Sequence, residues 1–527
     1  MNIPVKQALS MSARNWLMPS AAHYREDFEY NAGLGFAAAG HHAEALARFE
    51  AALKKAPDDP KVLFALGNTA RAIGHDAAAE ELYRRILAGE PDRLEALVNL
   101  ANLLRAGGRA KDAIALLGPA TERAPETPEL WLTLGSACRE AGDAERAAVF
   151  YREALRLRPD FPQALGNLAD LLADNGAVDE ALMIYHNVVA GAPYDAQARL
   201  NRAVLRLLKG DLKNGWRDYE YRLRIAGKAV SYAHGLPIWD GKSPRKGLRL
   251  LVAAEQGIGD QIMFAGVIPD LAARLASHGG KVILEAEPRL VPLFARSFPE
   301  AGVYPCDIVF AGGISTARYG WLEAADGAGA AIPLASLPGI LRREISDFPR
   351  PHAFLKPDRQ ERESWRRWLS GRAGPFIGIC WRSASLGGIR ALQYAPLQAW
   401  ARFLKDVPGS IVSLQYGAAG EEISELERLS GREVLAPPGL DQKEEIDRTC
   451  ALISALDAVV TAPTAVSWMS AGLGVPTYKI LYNNSWTALG NCYEPFAPAC
   501  RCIMPKSPGD WENAFPQALE ALRRAPA

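Results

Sequence analysis

The chain has 527 residues, enough for two to four domains, and it carries 60 Lys and Arg residues against 60 Asp and Glu residues. This balance lacks the basic excess that is typical of a nucleic-acid-binding protein. Seven cysteines, an odd number scattered along the chain, argue against a disulfide framework and favour reduced thiols.

The chain also lacks the patterns of targeting and membrane segments. Its first 20 residues contain no apolar core and no cleavage pattern, and no charge-free apolar run reaches about 18 residues. We therefore expect no secretory signal, no membrane span and a cytoplasmic location. Cys500 and Cys502 form a lone C-x-C pair without companion ligands, so we expect them to be packing residues and predict no metal site.

Residues 26–226 repeat at a spacing of 34. Four columns of this repeat are a glycine column (Gly40, Gly74, Gly108, Gly142, Gly176, Gly210), an alanine column (Ala45, Ala79, Ala113, Ala147, Ala181), a proline column (Pro57, Pro91, Pro125, Pro159, Pro193) and an aromatic or leucine column (Phe49, Tyr83, Leu117, Tyr151, Tyr185, Tyr219). Such a period is typical of stacked supersecondary units.

This pattern resembles the tetratricopeptide repeat (TPR). Glycine would turn two antiparallel helices, alanine would let them touch, the aromatic residue would fill the gap, and proline would start the next repeat. We predict an all-α TPR superhelix of about six repeats over residues 26–226, after an N-terminal extension, 1–25. Its concave face favours a groove for a protein partner; the alternatives are a spacer and a self-association surface.

The sixth repeat departs from the others, with Gly215 in the alanine column, and we expect it to cap the stack. We interpret Arg217, Arg222 and Arg224 as a solvated face. The linker that follows, 227–247, is rich in proline and glycine, which predicts no regular structure there. Its Tyr232 and Trp239 predict that it packs against the next domain.

The second half begins with a buried strand, a glycine turn and a helix start, within residues 248–265. Gly257 and Gly259 would let the backbone approach a ligand, and the N–H groups of the helix start favour an anion. The alternative is a tight turn that binds nothing, with Asp260 as a helix cap.

Strands then alternate with helices, which predicts parallel sheets. We expect an α/β fold of two Rossmann-like lobes, residues 248–356 and 357–527, with a cleft between them. Ligands of such sheets bind beyond the carboxyl ends of the strands, so the residues at the strand ends are the candidates for a site.

Polar residues stand at four strand ends of the second lobe: Trp381-Arg382-Ser383, Gln415-Tyr416, Thr461 with the nearby Thr464, and Lys479. Thr464 would cap a helix whose N–H groups at Ala465 and Val466 favour a phosphate, with the Ser467 hydroxyl close by. Arg382 could pair with a phosphate or carboxylate, and Gln415 and Tyr416 could contact the base of a nucleotide. Taken one at a time, these residues could be an ordinary helix cap, a surface arginine or a packing residue. Taken together, at successive strand ends, they favour a binding site for a nucleotide sugar.

These motifs resemble the heptosyltransferase-like GT-B glycosyltransferases. The motifs are EQGIGDQ (255–261), SLP (336–338), WRS (381–383), SLQYG (413–417), T-x-x-L-I-x-x-L-D (449–457) and PGDW (508–511). Joined to TPR repeats, and with the helix start TAPTAVSWMSAGLG (461–474), the layout is similar to that of bacterial flagellin glycosyltransferases. The resemblance implies transfer of a nonulosonic acid from a CMP-linked donor to Ser or Thr of flagellin, held by the TPR groove.

The donor motif differs from that of the heptosyltransferases. Pro463, Thr464 and Trp468 replace an Asp-Thr and a histidine, and the lysine usual near WRS is absent, leaving Arg382 and Arg390. These differences argue against an ADP-heptose donor. They leave open a non-catalytic TPR scaffold, and also an enzyme that acts on a glycan or a lipid-linked sugar.

Transfer to a hydroxyl needs a base and stabilisation of the leaving phosphate. The second half has no D-x-D motif and no histidine after His352, which predicts a metal-independent transferase with a carboxylate base. Asp260 is the first candidate base and Glu255 the second. Arg382 and the helix start at Thr464 would meet the phosphate charge. No cofactor is expected besides the donor.

Overall fold

The computed structural model describes residues 21–225, 230–242, 245–255, 257–311, 314–349, 353–384, 388–417 and 419–524, apart from the side chains of 21–27, 311, 314 and 388–390. The chain divides into two compact units, one up to Phe161 and one from Pro162 onward. His352, Gln256 and the Arg390 side chain lie outside this description.

Antiparallel helix pairs form the repeat region. Its helices are α1 (Ala21–Ala38), α2 (His42–Lys55), α3 (Pro60–Ala72), α4 (Asp76–Gly89), α5 (Leu94–Ala106), α6 (Ala110–Arg123), α7 (Pro128–Glu140), α8 (Ala144–Leu157), α9 (Pro162–Asp174), α10 (Val178–Gly191), α11 (Ala196–Leu208) and α12 (Leu212–Tyr219). A 3-10 segment, Glu220–Arg224, follows α12.

The sequence columns have the predicted structural roles, with one correction. Every glycine of the column ends the first helix of a pair at a positive φ between 73° and 85°, a conformation that side chains disfavour. The alanine column is fully buried, and the aromatic column is buried beside it. The proline column does not start helices: Pro57 lies in the turn before α3, which begins at Pro60.

Helices α9 to α12 belong to the same compact unit as the α/β part of the chain. The sixth pair caps the repeats as predicted, because the buried Trp216 side chain donates from Nε1 to the Arg342 carbonyl, 2.9 Å away. Arg222 is buried, and its guanidinium forms an ion pair with Glu255, so its interpretation as a solvated residue is wrong.

The predicted linker contains a strand, β1 (Val230–Tyr232), so the expectation of no regular structure was wrong. This strand precedes Pro237 and Pro244, the prolines that motivated the expectation. Trp239 packs against the next domain as predicted. Its side chain is buried, and its backbone N–H donates to the Ala331 carbonyl at 2.8 Å.

Residues 230–333 contain the strands of two sheets. A four-stranded parallel sheet has the order β4-β3-β2-β7, and a three-stranded sheet has the order β1-β6-β5 with β5 antiparallel. Their strands are β2 (Arg249–Ala253), β3 (Lys281–Ala286), β4 (Ala301–Pro305), β5 (Asp307–Ala311), β6 (Ile314–Arg318) and β7 (Ala330–Pro333). Strand β2 carries the predicted glycine turn at its carboxyl end.

Residues 376–503 form a six-stranded sheet, parallel throughout, in the order β10-β9-β8-β11-β12-β13. Its strands are β8 (Phe376–Cys380), β9 (Ser410–Ser413), β10 (Val434–Leu435), β11 (Ala458–Thr461), β12 (Thr477–Ile480) and β13 (Cys500–Ile503). The last of these was not predicted; it buries Cys500 and Cys502, which are packing residues as expected.

Helices cover these sheets. They are α13 (Ile258–Ala265), α14 (Ile268–Ala276), α15 (Val291–Ser297), α16 (Pro338–Leu341), α17 (Arg359–Leu369), α18 (Leu397–Asp406), α19 (Gly420–Ser430), α20 (Ile446–Ile453), α21 (Ala465–Gly472) and α22 (Trp511–Arg524). Among the described helices, none combines the length and the apolar character that crossing a bilayer requires. The second half is therefore an α/β region built on parallel sheets.

Candidate functional site

A cavity of about 400 Å³ brings together residues from the four-stranded and the six-stranded sheet regions. Six of the residues predicted from the sequence line it: Gly259, Asp260, Thr464, Ala465, Ser467 and Lys479. The remaining wall comes from Gln393, Pro463, Trp468 and the segment 481–487. We call it the site cavity.

Two helix starts meet at the site cavity. The turn after β2 leads into α13, and the turn after β11 leads into α21. A methyl group built at Gly259 would lie 3.4 Å from Cδ1 of Trp468 and 3.5 Å from Cα of Ala465, so the two helices touch at this point. The small residue at 259 permits this approach.

Asp260 is the acidic residue of the described cavity wall. Burial raises its pKa to about 6, the N–H of Gly257 opposes that rise, and the charge of Glu255 adds to it. A carboxyl group with a pKa near neutral can exchange a proton with a bound hydroxyl. Gly257 thus directs its N–H to Asp260.

Thr464 is the N-cap of α21, as predicted, and its Oγ1 accepts from the Val466 N–H at 3.3 Å. The Ser467 N–H is also used, by the Thr464 carbonyl at 3.1 Å. The Val466 N–H is therefore not free for a phosphate, contrary to expectation. The Ser467 hydroxyl donates to the same carbonyl at 2.7 Å.

Lys479, at the end of β12, is buried and forms an ion pair with the buried Glu494. Its ammonium lies 5.0 Å from the centre of the Trp468 ring. Burial alone would lower the pKa of Lys479, but the Glu494 charge raises it above the ordinary value. The cavity therefore has a fixed cation in its wall.

Glu494 was not identified from the sequence. Its Oε1 accepts from Lys479, from Thr487 Oγ1 at 2.9 Å and from Cys502 Sγ at 3.4 Å. Its Oε2 is buried without a partner in the described part of the chain. It lies in the loop before the unpredicted strand β13, so strand-end reasoning could not have found it.

Arg382 has a different environment from the one expected. Its guanidinium forms an ion pair with Glu422, with an Nε–Oε1 distance of 2.6 Å, and this pairing raises its pKa. The Trp381 indole donates to the same carboxylate at 3.1 Å. Arg382, Trp381 and Ser383 are not part of the described wall of the site cavity.

Gln415 cross-links two strand ends. Its Oε1 accepts from the N–H groups of Trp381 at 3.0 Å and Arg382 at 3.1 Å, and its Nε2 donates to the Arg382 and Tyr416 carbonyls. Tyr416 is half-buried, and burial raises its pKa to about 12. Thr461 is fully buried, and its hydroxyl donates to the Ala462 carbonyl. These contacts fix the backbone.

Glu255 forms a buried ion pair with Arg222, with an Nη2–Oε1 distance of 2.6 Å. Its Oε1 also accepts from the Ala335 N–H at 2.8 Å. The carboxylate therefore joins the last repeat segment to the end of β2, and Glu255 is not part of the described cavity wall.

The segment 481–487 is the part of the wall that sequence analysis missed. It joins the cavity to the repeats, because the Asn483 side chain donates to Asp174 Oδ1 of α9 at 3.0 Å. The Trp486 ring lies 5.6 Å from that of Tyr219 in α12. Its run of polar residues after β12 was the signal that could have located it.

Glu285, at the end of β3, is a second titratable group that the sequence did not reveal. Its Oε2 accepts from the Ala254 N–H at 2.9 Å and from the Tyr319 hydroxyl at 3.2 Å. Its Oε1 is buried without a partner among the described residues. Burial raises the pKa of Glu285 to about 7, although both donors lower it.

Two other cavities have similar volumes. One of about 410 Å³ lies between α18 and α22, and one of about 390 Å³ lies between α12 and α16. Neither is lined by any of the predicted site residues, so the site cavity remains the candidate.

Comparison with known proteins supports the repeat assignment. The tetratricopeptide repeat family model matches residues 6–190, which confirms the predicted TPR repeats. Protein FlbA of Caulobacter vibrioides is 34% identical over 340 residues, covering 63% of this chain and 56% of that protein. The chain thus spans little more than half the length of this relative.

Several solved structures are similar to about a third of this chain. A thermophilic TPR protein of Thermus thermophilus is 28% identical and covers 34% of this chain and 99% of its own, with a TM-score of 0.30. Pseudomonas aeruginosa pilF is 22% identical and covers 38% and 90%, with a TM-score of 0.33.

Proposed function

We propose that the protein is a metal-independent O-glycosyltransferase of the GT-B type that moves a nonulosonic acid from a CMP-linked donor to Ser or Thr of flagellin. The site cavity would hold the donor, and the TPR repeats would bind the acceptor. The single observation that carries this proposal is the meeting of Asp260 and Lys479 in one cavity.

The composition of the cavity wall supports a sugar donor. A carboxyl group with a pKa of about 6, a cation and aromatic rings face the same space. Aromatic faces pack against the C–H faces of sugar rings, and the polar side chains of segment 481–487 supply hydrogen bonds for hydroxyl groups. The sequence resemblance to flagellin glycosyltransferases supports the acceptor.

In the proposed step, the acceptor hydroxyl oxygen attacks the anomeric carbon, and the bond from that carbon to the phosphate oxygen breaks. Asp260 takes the hydroxyl proton, and CMP leaves with the electron pair of the broken bond. Lys479 lies where it can stabilise negative charge on the leaving phosphate or on the sugar carboxylate. Charge and atoms balance without a metal ion.

The other candidates take supporting roles in this proposal. Glu255 would position the β2 turn through Arg222 and would not act as a base, because its carboxylate is already paired. Arg382 and Gln415 would keep the strand ends in register. Gly257 would orient Asp260.

Isothermal titration calorimetry with CMP tests the donor site. We expect wild type and Asp260→Asn to bind CMP alike, and the double variant Lys479→Gln/Glu494→Gln to bind at least about tenfold more weakly, because a charged hydrogen bond is lost. Arg367→Gln, an exposed change in α17, is the control. If wild type binds none of CMP, UDP and ADP, the donor proposal is wrong and the non-catalytic scaffold is favoured.

A further inference from the structure

The sixth repeat replaces apolar columns with charged residues. At a spacing of 34, Arg199 follows Leu63, Leu97, Trp131 and Leu165; Arg202 follows Leu66, Leu100, Leu134 and Leu168; Arg206 follows Ala70, Leu104, Cys138 and Leu172; and Asp218 follows Leu82, Leu116, Phe150 and Ile184. Four columns thus change between the fifth and the sixth repeat, whereas in the first repeat two of the same columns hold Glu29 and Arg48, which form an ion pair. Burying charged groups is costly, so a change of this kind needs a specific reason.

In the structure, these four residues form one group, which we call the arginine cluster. Asp218 is fully buried and accepts from Arg199 Nη1 at 2.9 Å, from Arg202 Nε at 2.8 Å and from Arg206 Nη1 at 2.6 Å. Three cations therefore share one carboxylate. The side chains of Arg199 and Arg206 remain partly accessible, at 19% and 13%.

The described ion pairs set two carboxylates, Asp218 and Asp211, against these three arginines. Asp211 lies 4.0 Å from Arg206 Nε, while His186 Nε2 contacts the same guanidinium at 3.1 Å. Burial lowers the pKa of Arg206, and the positive charges of Arg202 and Arg217 lower it further. The negative charge of Asp218 acts in the opposite direction and raises it. Residues 199–224 contain eight Lys or Arg and three Asp or Glu, in a chain whose net charge is zero.

The arginine cluster also has an aromatic neighbour. The guanidinium carbons of Arg199 and Arg224 lie 4.3 Å and 4.6 Å from the centre of the Tyr221 ring. This ring holds two guanidinium groups in place, which lowers the conformational entropy that a ligand would have to restrict.

One ring contact joins the helix that carries Asp218 to the wall of the site cavity. Asp218 precedes Tyr219, whose ring contacts Trp486 of the cavity wall. A ligand at the cluster would thus be within a few residues' reach of the cavity.

We propose that the arginine cluster binds carboxylates of an acidic protein segment, so that Asp or Glu residues near the acceptor hydroxyl determine which segment is bound. Planar guanidinium groups match carboxylates in paired hydrogen bonds. A bound carboxylate would also reduce the repulsion among three arginines. That the bound segment is the acceptor rests on the proposed transferase function. That the arginine cluster binds an acidic segment does not depend on it.

Fluorescence polarisation of a labelled peptide tests the cluster directly. The probe is (Glu-Ser)6, with (Gln-Ser)6 as the neutral peptide and the full chain as the protein. We expect wild type to bind only the acidic peptide, and Arg199→Gln and Arg206→Gln each to weaken binding about tenfold. Arg367→Gln, an exposed arginine outside the cluster, should bind like wild type.

Both variants leave Arg202 paired with Asp218 through two hydrogen bonds, so we expect them to fold, and circular dichroism checks this. Equal binding of both peptides, or unchanged binding by both arginine variants, would overturn the proposal. If inorganic phosphate binds with the same dependence on Arg199 and Arg206 while the acidic peptide does not bind, the site takes a phosphate and the protein source is wrong.

The two proposals fail separately. A protein that binds the acidic peptide through the arginine cluster but no nucleotide would keep this inference and contradict the transferase. A protein that binds CMP but not the acidic peptide would do the reverse.

Discussion

The Lys479 ammonium lies 5.0 Å from the centre of the Trp468 ring and forms an ion pair with Glu494. In the resemblance to heptosyltransferases on which the proposed function rests, Trp468 stands in the place of a donor-binding histidine, and the lysine expected near the WRS motif is absent. The structure thus puts a cation into this region from a different strand. In the proposed function, that cation replaces the missing one.

The ion pair makes a prediction about stability. Lys479→Met leaves the Glu494 carboxylate buried and unpaired, and we expect the free energy of unfolding to fall by about 3–5 kcal/mol. The double variant Lys479→Met/Glu494→Gln should recover at least about half of that loss, because no charge remains buried. Urea unfolding measures both. A loss below about 1 kcal/mol in the single variant would contradict a buried pair.

Asp260 makes a prediction about turnover. Asp260→Asn should lower the transfer rate by about 100-fold or more, since it removes the proton acceptor. The wild-type rate should fall as pH drops below about 6, where the carboxyl group becomes protonated. Asp326→Asn, an exposed aspartate in the same region, is the control. An unchanged rate in Asp260→Asn would eliminate Asp260 as the base.

Glu285 makes a prediction about the pH dependence of stability. Folding raises its pKa from 4.5 to about 7, so the folded state holds the proton more tightly and stability falls as pH rises through that range. Glu285→Gln removes this loss, and its free energy of unfolding should exceed that of wild type by about 1–3 kcal/mol at pH 8.

At pH 4 the same variant should match wild type, because Glu285 is then protonated in both states. Glu323→Gln, an exposed neighbour on the same part of the chain, should show no pH-dependent difference. Urea unfolding at the two pH values decides the matter: an equal change at both would mean that the effect is one of packing.

The repeats make a prediction about packing. A methyl group at Gly135 would lie 2.8 Å from two ring carbons of Tyr151, so Gly135→Ala should cost about 1–3 kcal/mol. Gly118→Ala, in the neighbouring helix α6, meets no atom within 4 Å and should be neutral or stabilising by up to about 1 kcal/mol. Thermal unfolding compares the two; equal melting temperatures would show that the Tyr151 ring moves aside.

The repeats could be predicted because each column places the same residue type at the same structural position in successive repeats. Gly40 and its equivalents end a helix at positive φ, which the sequence shows six times over. The strands with unbroken apolar runs, such as β2, were also predicted, since burial on both faces leaves a clear pattern. Strands β4 and β6 were missed because they are only partly buried, although they are as long as β2.

The cavity could be predicted only in part. Thr464 and Asp260 lie at the helix starts that follow β11 and β2, so strand order located them. Arg382 and Glu255 also follow strands, but each has a carboxylate or guanidinium partner from a distant segment. Glu422 forms an ion pair with Arg382, and Arg222 forms one with Glu255. The partners are far apart in the chain, so a single sequence does not indicate that they pair.

Intact-mass analysis of flagellin tests the central claim most directly. Cells that produce the wild-type protein should yield flagellin heavier by whole units of a nonulosonic acid, and cells that lack the protein, or produce Asp260→Asn, should yield unmodified flagellin. Flagellin of the same mass in all three would contradict the claim.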